Sequence, residues 1–218
     1  MTTRLTLDFV SDVVCPWCVI GLLGLEEALR RLEGVVEAQI RLQPFELNPA
    51  MPFEGQLISE HVQEKYGRST EESRGARDMI RARAADLGFE MRTGPESRIY
   101  NTFAAHQLIA YAETEGRALP LKHAFFQAYF QEGLNPSDPA VLRWAAEAAG
   151  LDAAEGLRVV AAGIHADDVR RAEGTWTREG ITGVPTVILE DRYLLVGAQP
   201  PDAYEKALRS IAKEKVAA

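Results

Sequence analysis

Between Leu5 and Phe9 apolar and polar residues alternate, as Leu5-Thr6-Leu7-Asp8-Phe9, and this period of two predicts a β-strand. From Pro16 the period lengthens. Leu22, Leu25, Leu29 and Leu32 recur at helical spacing and Gly34 follows as a stop, so the pattern predicts a helix from Pro16 onward. Val36, Ala38, Ile40 and Leu42 restore the period of two and predict a second strand. A strand, a helix and a strand joined by a short return form a βαβ unit with parallel strands.

The loop Pro44-Phe45-Glu46-Leu47-Asn48-Pro49-Ala50-Met51-Pro52 closes this unit. Beyond it, up to about Gly180, nearly every segment reads as helix. Ser69 with Glu72, and Asp152 with Glu155, have the spacing of capping boxes, and Asp138 before Pro139 has the form of an N-cap and first helical residue. Aromatic and aliphatic residues between Tyr100 and Phe130 are dense enough for helices packed on several sides. The charge-rich run Glu71 to Arg83 reads as a solvated helix face, and Trp144 and Trp176 as packing residues. The pattern then reverts. Val184 to Leu189 is rich in β-formers and Tyr193 to Val196 answers it across a short turn at Asp191, which predicts a hairpin. A final amphipathic helix begins near Pro201, with Tyr204, Leu208 and Ile211 on one face.

With 218 residues, 46% of them hydrophobic, the chain can build a sizeable core without disulfide staples or a structural metal. Its 24 basic and 32 acidic residues leave a net charge of -8, with no basic block, which argues against nucleic acid and anionic membrane surfaces as partners. The start, Met1-Thr2-Thr3-Arg4, carries no apolar stretch of the signal-peptide kind, so a cytoplasmic location is expected. In a reducing compartment a cysteine pair is more often catalytic, redox-sensing or metal-binding than a permanent staple.

The two cysteines of the chain lie within Cys15-Pro16-Trp17-Cys18, at the start of the first helix. That is the layout of a redox-active dithiol, in which the first cysteine attacks and the second resolves. Unpaired amides and the positive end of the helix dipole favour a thiolate at Cys15; Pro16 has no N–H to contribute, so Trp17 and Cys18 would supply the donors. Asp12 would oppose the thiolate if it pointed toward Cys15. The bland reading, two small core residues, needs a coincidence of spacing and position. A zinc site needs further ligands, and His61, His106, His123 and His165 lie far apart, so no metal is expected. In Ile181-Thr182-Gly183-Val184-Pro185-Thr186 a proline just inside a strand is awkward, because it removes a ladder donor; a cis peptide bond is one resolution.

Taken together, these motifs resemble the thioredoxin fold, and the helical block inside it resembles the DsbA family. Ser11-Asp12-Val13-Val14-Cys15-Pro16-Trp17-Cys18, Pro44-Phe45-Glu46-Leu47-Asn48-Pro49, Asn101-Thr102-Phe103-Ala104-Ala105-His106 and Gly197-Ala198-Gln199 look like the FrnE-like branch of that family. The resemblance implies an α/β thioredoxin fold with a large helical insertion, residues 1–55 plus 181–218 forming the thioredoxin part and 56–180 the insertion. It implies dithiol–disulfide exchange, with Cys15 as nucleophile, Cys18 as resolving thiol and Pro185 as a cis-proline facing them. Trp17, Val184 and Pro185 are the expected substrate contacts, and Asp12, Asn101 and His106 the supporting candidates.

No bound cofactor is expected beyond a redox-active Cys15–Cys18 disulfide. The partners would be a thiol- or disulfide-containing protein or small molecule and an unidentified reductant or oxidant. The branch is also similar to kappa-class glutathione transferases and 2-hydroxychromene-2-carboxylate isomerases, which makes glutathione a candidate co-substrate. Those relatives typically carry Ser at the first motif position, whereas this chain has Cys at both. A glutathione-dependent isomerase or transferase, and a non-catalytic peptide-binding or chaperone module, are the alternatives. His106 reads most simply as a satisfied core histidine; Asn101, five residues earlier, falls roughly 140° away around a helix and need not share its surroundings.

Overall fold

The computed structural model describes residues 2–67, 70–94 and 96–217. The capping box expected at Ser69 and Glu72 lies outside the described residues. The chain opens with β1 (Thr3–Ser11), α1 (Pro16–Arg31) and β2 (Val36–Pro44). A helical block follows: β3 (Gln56–Leu57), α2 (Ile58–Tyr66), α3 (Thr70–Asp86), β4 (Arg98–Ile99), α4 (Phe103–Thr114), α5 (Ala118–Phe126), α6 (Pro139–Ala148), α7 (Ala153–Ala161) and α8 (Ala166–Arg178). The chain closes with β5 (Thr186–Leu189), β6 (Tyr193–Val196) and α9 (Pro201–Ala217).

Four strands form a mixed sheet in the order β2-β1-β5-β6. β1 runs parallel to β2, with Leu7 beside Ile40, and antiparallel to β5, with Phe9 beside Val187. β5 and β6 form the antiparallel hairpin that their alternation predicted. Its turn places Glu190 and Asp191 at φ of 54° and 53°, a left-handed conformation that the short side chain of Asp191 tolerates, while the Glu190 carboxylate accepts from the Thr6 amide at 2.6 Å. The expected alternation in β1 holds only in its first half. From Leu7 to Ser11 every residue is buried, and because neighbouring side chains point to opposite faces, both faces of the sheet are covered there.

α1 packs along α9, and the segments that enter β5 and α9 approach α1 closely at two glycines. A Cβ on Gly21 would stand 2.8 Å from Pro185 Cγ, and one on Gly24 would stand 2.9 Å from the Gln199 carbonyl oxygen. The core is continuous from Leu5, Leu7 and Phe9 of β1 through Leu22 and Leu25 of α1 to Leu108 of α4 and Phe125 and Phe126 of α5. The inserted helices therefore share one hydrophobic interior with the sheet.

Local signals explain several helix boundaries. The Asp138 carboxylate accepts from the Ala140 amide at 2.7 Å with Pro139 as first helical residue. The Asp152 carboxylate accepts from the Ala154 and Glu155 amides at 2.9 and 3.1 Å. The reciprocal half of the expected capping box is absent, because the Glu155 carboxylate takes both guanidinium contacts of Arg158 instead. Two further departures concern packing. Trp144 on α6 lies at the surface, 37% exposed. Along the described part of α3, Asp78, Met79 and Arg83 are exposed as the expected solvated face, while Ala76, Arg77 and Ile80 face a cleft on the other side.

Two features had no sequence signature. β3 and β4 pair over two residues each, too few for a period to register. After α5 the chain widens into a π-helical turn, Gln127–Gln131, closed by the Glu132 amide on the Gln127 carbonyl at 3.2 Å. Such turns concentrate at functional sites, and this one carries Tyr129 and Phe130 into the wall of the cleft.

Candidate active site

β1 delivers Ser11, Asp12, Val13 and Val14 to the N-terminus of α1, where Cys15 is the N-cap, extended at φ -88° and ψ 114°. Pro16 occupies the first helical position, where its missing N–H costs nothing. The first turn of α1 carries no acidic residue, so the dipole end is not neutralised from within the helix. The Cys18 amide bonds back to the Cys15 carbonyl at 3.0 Å, which brings the second cysteine onto the first turn. Both cysteines are free thiols here, Cys18 wholly buried and Cys15 nearly so.

The Val184–Pro185 bond is cis. The Val184 carbonyl oxygen lies 3.5 Å from Cys15 Sγ, so the loop entering β5 faces the first thiol. Pro185 itself is buried, lying toward Gly21 of α1, and does not line the cleft.

In front of Cys15 opens a cleft of about 490 Å³. Trp17 and Val184 line it beside Cys15, and the facing wall comes from the insertion, including His61, Arg77 and Tyr129. Arg83 stands over the Trp17 ring at 5.4 Å, a cation–π contact that holds the indole at the edge of the opening. Arg77 Nε is buried without a hydrogen-bond partner. The lining is apolar with a few cations, as expected of a site for an anionic or amphipathic ligand.

Three polar side chains are buried away from the cleft: Asp12, His106 and Lys122. Asp12 turns away from the open cleft. One carboxylate oxygen accepts from the Leu47 amide at 2.8 Å; the other faces His106 Nε2 at 3.4 Å, without the alignment of a hydrogen bond. Burial alone would raise the Asp12 carboxyl, but His106, the Leu47 amide and Lys122 together hold it below the usual range. Burial and the Cys15 sulfur push the Cys18 thiol well up, with Lys122 and the Asp12 backbone amide pulling the other way. Lys122 is lowered by burial, against the attraction of Cys18, Asp12 and Cys15.

His106 is thus a core histidine, as its apolar helix suggested, but its Nε2 has no hydrogen-bond partner. Asn101 stands apart from it. The Asn101 carboxamide oxygen accepts from the Phe103 amide at 3.0 Å and its nitrogen donates to the Pro49 carbonyl at 3.3 Å, tying the Pro/Asn-rich loop to the start of α4. Neither residue lines the cleft. Another loop residue, Glu46, is buried against Arg170 of α8, which also stands over Phe103 at 3.7 Å.

Lys122, Arg77 and Tyr129 escaped the sequence reading. For Lys122 a signal existed: a lysine inside Ala118-Leu119-Pro120-Leu121-Lys122-His123-Ala124-Phe125-Phe126, a run otherwise apolar enough to be interior.

Against this geometry, the model of the DSBA-like thioredoxin domain matches residues 6–209. The chain belongs to the DsbA-like thioredoxin family. A probable DsbA oxidoreductase from Streptomyces coelicolor is 32% identical, with a TM-score of 0.87 over 97% of this chain and 91% of its own. The uncharacterised protein YwbO of Bacillus subtilis is 29% identical over 206 residues, covering 94% of this chain and 96% of its own. The cytosolic disulfide reductase DsbM from Pseudomonas aeruginosa, in a structure with GSH, shares the fold at 20% identity and a TM-score of 0.62, covering 98% of this chain and all of its own. The DsbA-like fold of this chain, a thioredoxin sheet interrupted by helices, matches the branch that the motifs resemble.

Proposed function

We propose that the chain is a cytoplasmic thiol–disulfide oxidoreductase that works through Cys15 and Cys18. The observation that carries this reading is the position of Cys15: at the N-terminus of α1, at the floor of a cleft, with the Val184 carbonyl 3.5 Å from its sulfur and Cys18 on the same helical turn. The Cys15 thiolate attacks a substrate disulfide along the open side and forms a mixed disulfide. Trp17 and Val184 hold the substrate against the sulfur, and Pro185 backs the Val184 loop from the side of Gly21. Cys18 then attacks Cys15 from behind, closing the Cys15–Cys18 disulfide and releasing substrate as a thiol. The reverse sequence forms disulfides in a dithiol substrate. Asp12 and His106 act from within the protein, since neither reaches the cleft; Asn101 holds the loop that frames it.

Insulin reduction and dithiol-peptide oxidation test the reading. Wild type should catalyse at least one of the two, and Cys15→Ser and Cys18→Ser should each abolish it. Activity that persists in Cys15→Ser would end the proposal.

The cleft supports a second reading, a glutathione-dependent transferase or isomerase. Its volume suits a tripeptide-sized thiol, and Arg77 offers a buried nitrogen with no partner to a carboxylate. DsbM, similar in fold, was solved with GSH. On this reading, activity on a small electrophile or isomerisable substrate requires added glutathione and survives Cys18→Ser.

A further inference from the structure

Cys15 meets its substrate in a cleft, and part of the wall of that cleft has no regular secondary structure: Leu47 and Asn48, from the loop after β2, line it. Such a stretch keeps its place through the hydrogen bonds of its own backbone. The Glu46 amide donates to Glu173 Oε1 of α8 at 3.0 Å. The Leu47 carbonyl and the Asn48 carboxamide oxygen accept from Lys65 Nζ of α2 at 3.1 and 2.8 Å. Lys65 acts at the surface, where water competes, whereas the Leu47 amide is held from the interior by Asp12 Oδ2 at 2.8 Å. Asp12 is 1% exposed. Its own carbonyl accepts from the Cys15 amide at 3.4 Å. One residue therefore bonds the backbone of the nucleophile through its main chain and the cleft wall through its side chain. The other carboxylate oxygen, Oδ1, faces His106 without bonding it, so the Leu47 amide gives this carboxylate its one hydrogen bond among the described residues. Burying a carboxylate on so few bonds opposes folding.

We infer that Asp12 is a positioning residue: its bond to the Leu47 amide fixes the Leu47–Asn48 wall relative to Cys15 and so sets how tightly a disulfide-bonded peptide seats in the cleft. The inference rests on the exchange reading above. Asp12 moves no proton in the exchange and meets no substrate, since it does not line the cleft. Its part is to supply a fixed acceptor, which depends on the oxygen and not on the charge. Without that acceptor the Leu47 amide loses its partner, and the loop shifts to find another. Leu47 and Asn48 then leave the place where a peptide would lie along them. A peptide that extends from Cys15 to this wall loses contact, whereas a small disulfide that need reach only Cys15 does not.

The test compares Asp12→Asn, whose carboxamide oxygen can still accept from the Leu47 amide, with Asp12→Ala, which has no acceptor. Asp12→Leu, close to aspartate in shape, takes the place of Ala should Ala not fold. Each protein is assayed with a disulfide-bonded peptide and with a small aryl disulfide whose released thiolate absorbs visible light. Asp12→Ala should raise KM for the peptide by about tenfold with kcat little changed, the size of one lost hydrogen bond to a charged group. Its rate with the aryl disulfide should stay near that of wild type. Asp12→Asn should restore the peptide KM to the wild-type value. A residue that matters to folding alone would lower stability to urea in the variants and leave KM unchanged, and that result would overturn the inference. Equal shifts of KM in Asn and Ala would also overturn it, by assigning the effect to charge. An aryl disulfide slowed as much as the peptide would do the same, by placing the effect at the sulfur. A wild-type protein that forms no adduct at Cys15 with either disulfide would overturn the exchange reading, and this inference with it.

Discussion

The two sides of the dithiol differ more than the two cysteines do. In front of Cys15 lies an open, mostly apolar cleft whose polar contributions come from backbone, from the Val184 carbonyl, and from cations at its wall. Away from the cleft an acid, an imidazole and a lysine are buried, and the acid faces the imidazole without a hydrogen bond. The front is open to a ligand of the proposed kind and the back is buried. In a motif that repeats the same residue type after two intervening positions, the surroundings differ: Cys15, nearly buried, still lines the cleft, whereas Cys18 is wholly buried and does not. Partly satisfied buried polar groups are costly, and Asp12 Oδ1 and His106 Nε2 are two of them.

The comparison can be broken most severely at the front. Cys15→Ser should reduce exchange to the uncatalysed rate while leaving the folded structure intact, because the residue is a helix N-cap and serine is a favoured one. Retained activity together with an unchanged circular dichroism spectrum would mean that the cleft is not where the chemistry happens.

A smaller effect probes the seam between α1 and the Pro185 loop. The Cβ introduced by Gly21→Ala would stand 2.8 Å from Pro185 Cγ, so the loop must move or the helix must tilt. Overpacking of this kind costs about 1–3 kcal/mol, and urea denaturation should read it as a lower midpoint with slower exchange. A neutral outcome in both would show that the loop yields freely and that its position relative to Cys15 is not set by α1.

Smaller again is the contribution of Arg77 to ligand capture. If the cleft receives a carboxylate-bearing thiol, Arg77→Gln should raise KM for glutathione disulfide by about tenfold with kcat little changed, the loss of one charge-assisted hydrogen bond of about 1.5 kcal/mol. An unchanged KM would leave protein substrates as the better occupants. The smallest effect expected lies far from both sides. Asp152→Ala removes the cap of α7 and should cost about 1 kcal/mol of stability with no change in exchange.

The dithiol and the loop facing it were legible in the chain, whereas the far wall of the cleft, with Arg77 and Tyr129, and the buried Lys122 were not, for a physical reason. Cys15, Cys18, Trp17 and the Gly183-Val184-Pro185 turn are specified by short-range patterns: a cysteine spacing at a strand-to-helix change, and a proline placed where a ladder donor is needed. The β5–β6 hairpin and α9 were likewise written in local periodicity. The buried polar residues lie at positions 12, 106 and 122, and no local pattern links them; the tertiary packing of α4 and α5 on each other and on β2 does. Asp12 and His106 were both named as supporting candidates from the motifs, but that they face each other across the core was not foreseen. The π-helical turn that swings Tyr129 into the cleft was hidden for the same reason, since its sequence continues the helical pattern of α5 without a break.

The most direct test of the central claim is covalent. Cys18→Ser, incubated with a disulfide-bonded substrate and analysed by mass spectrometry without reductant, should carry one substrate molecule attached through Cys15, released by dithiothreitol. The Cys15→Ser protein treated in parallel should carry none. An unmodified Cys18→Ser protein that still turns over substrate would contradict mixed-disulfide exchange, and the glutathione-dependent reading would replace it.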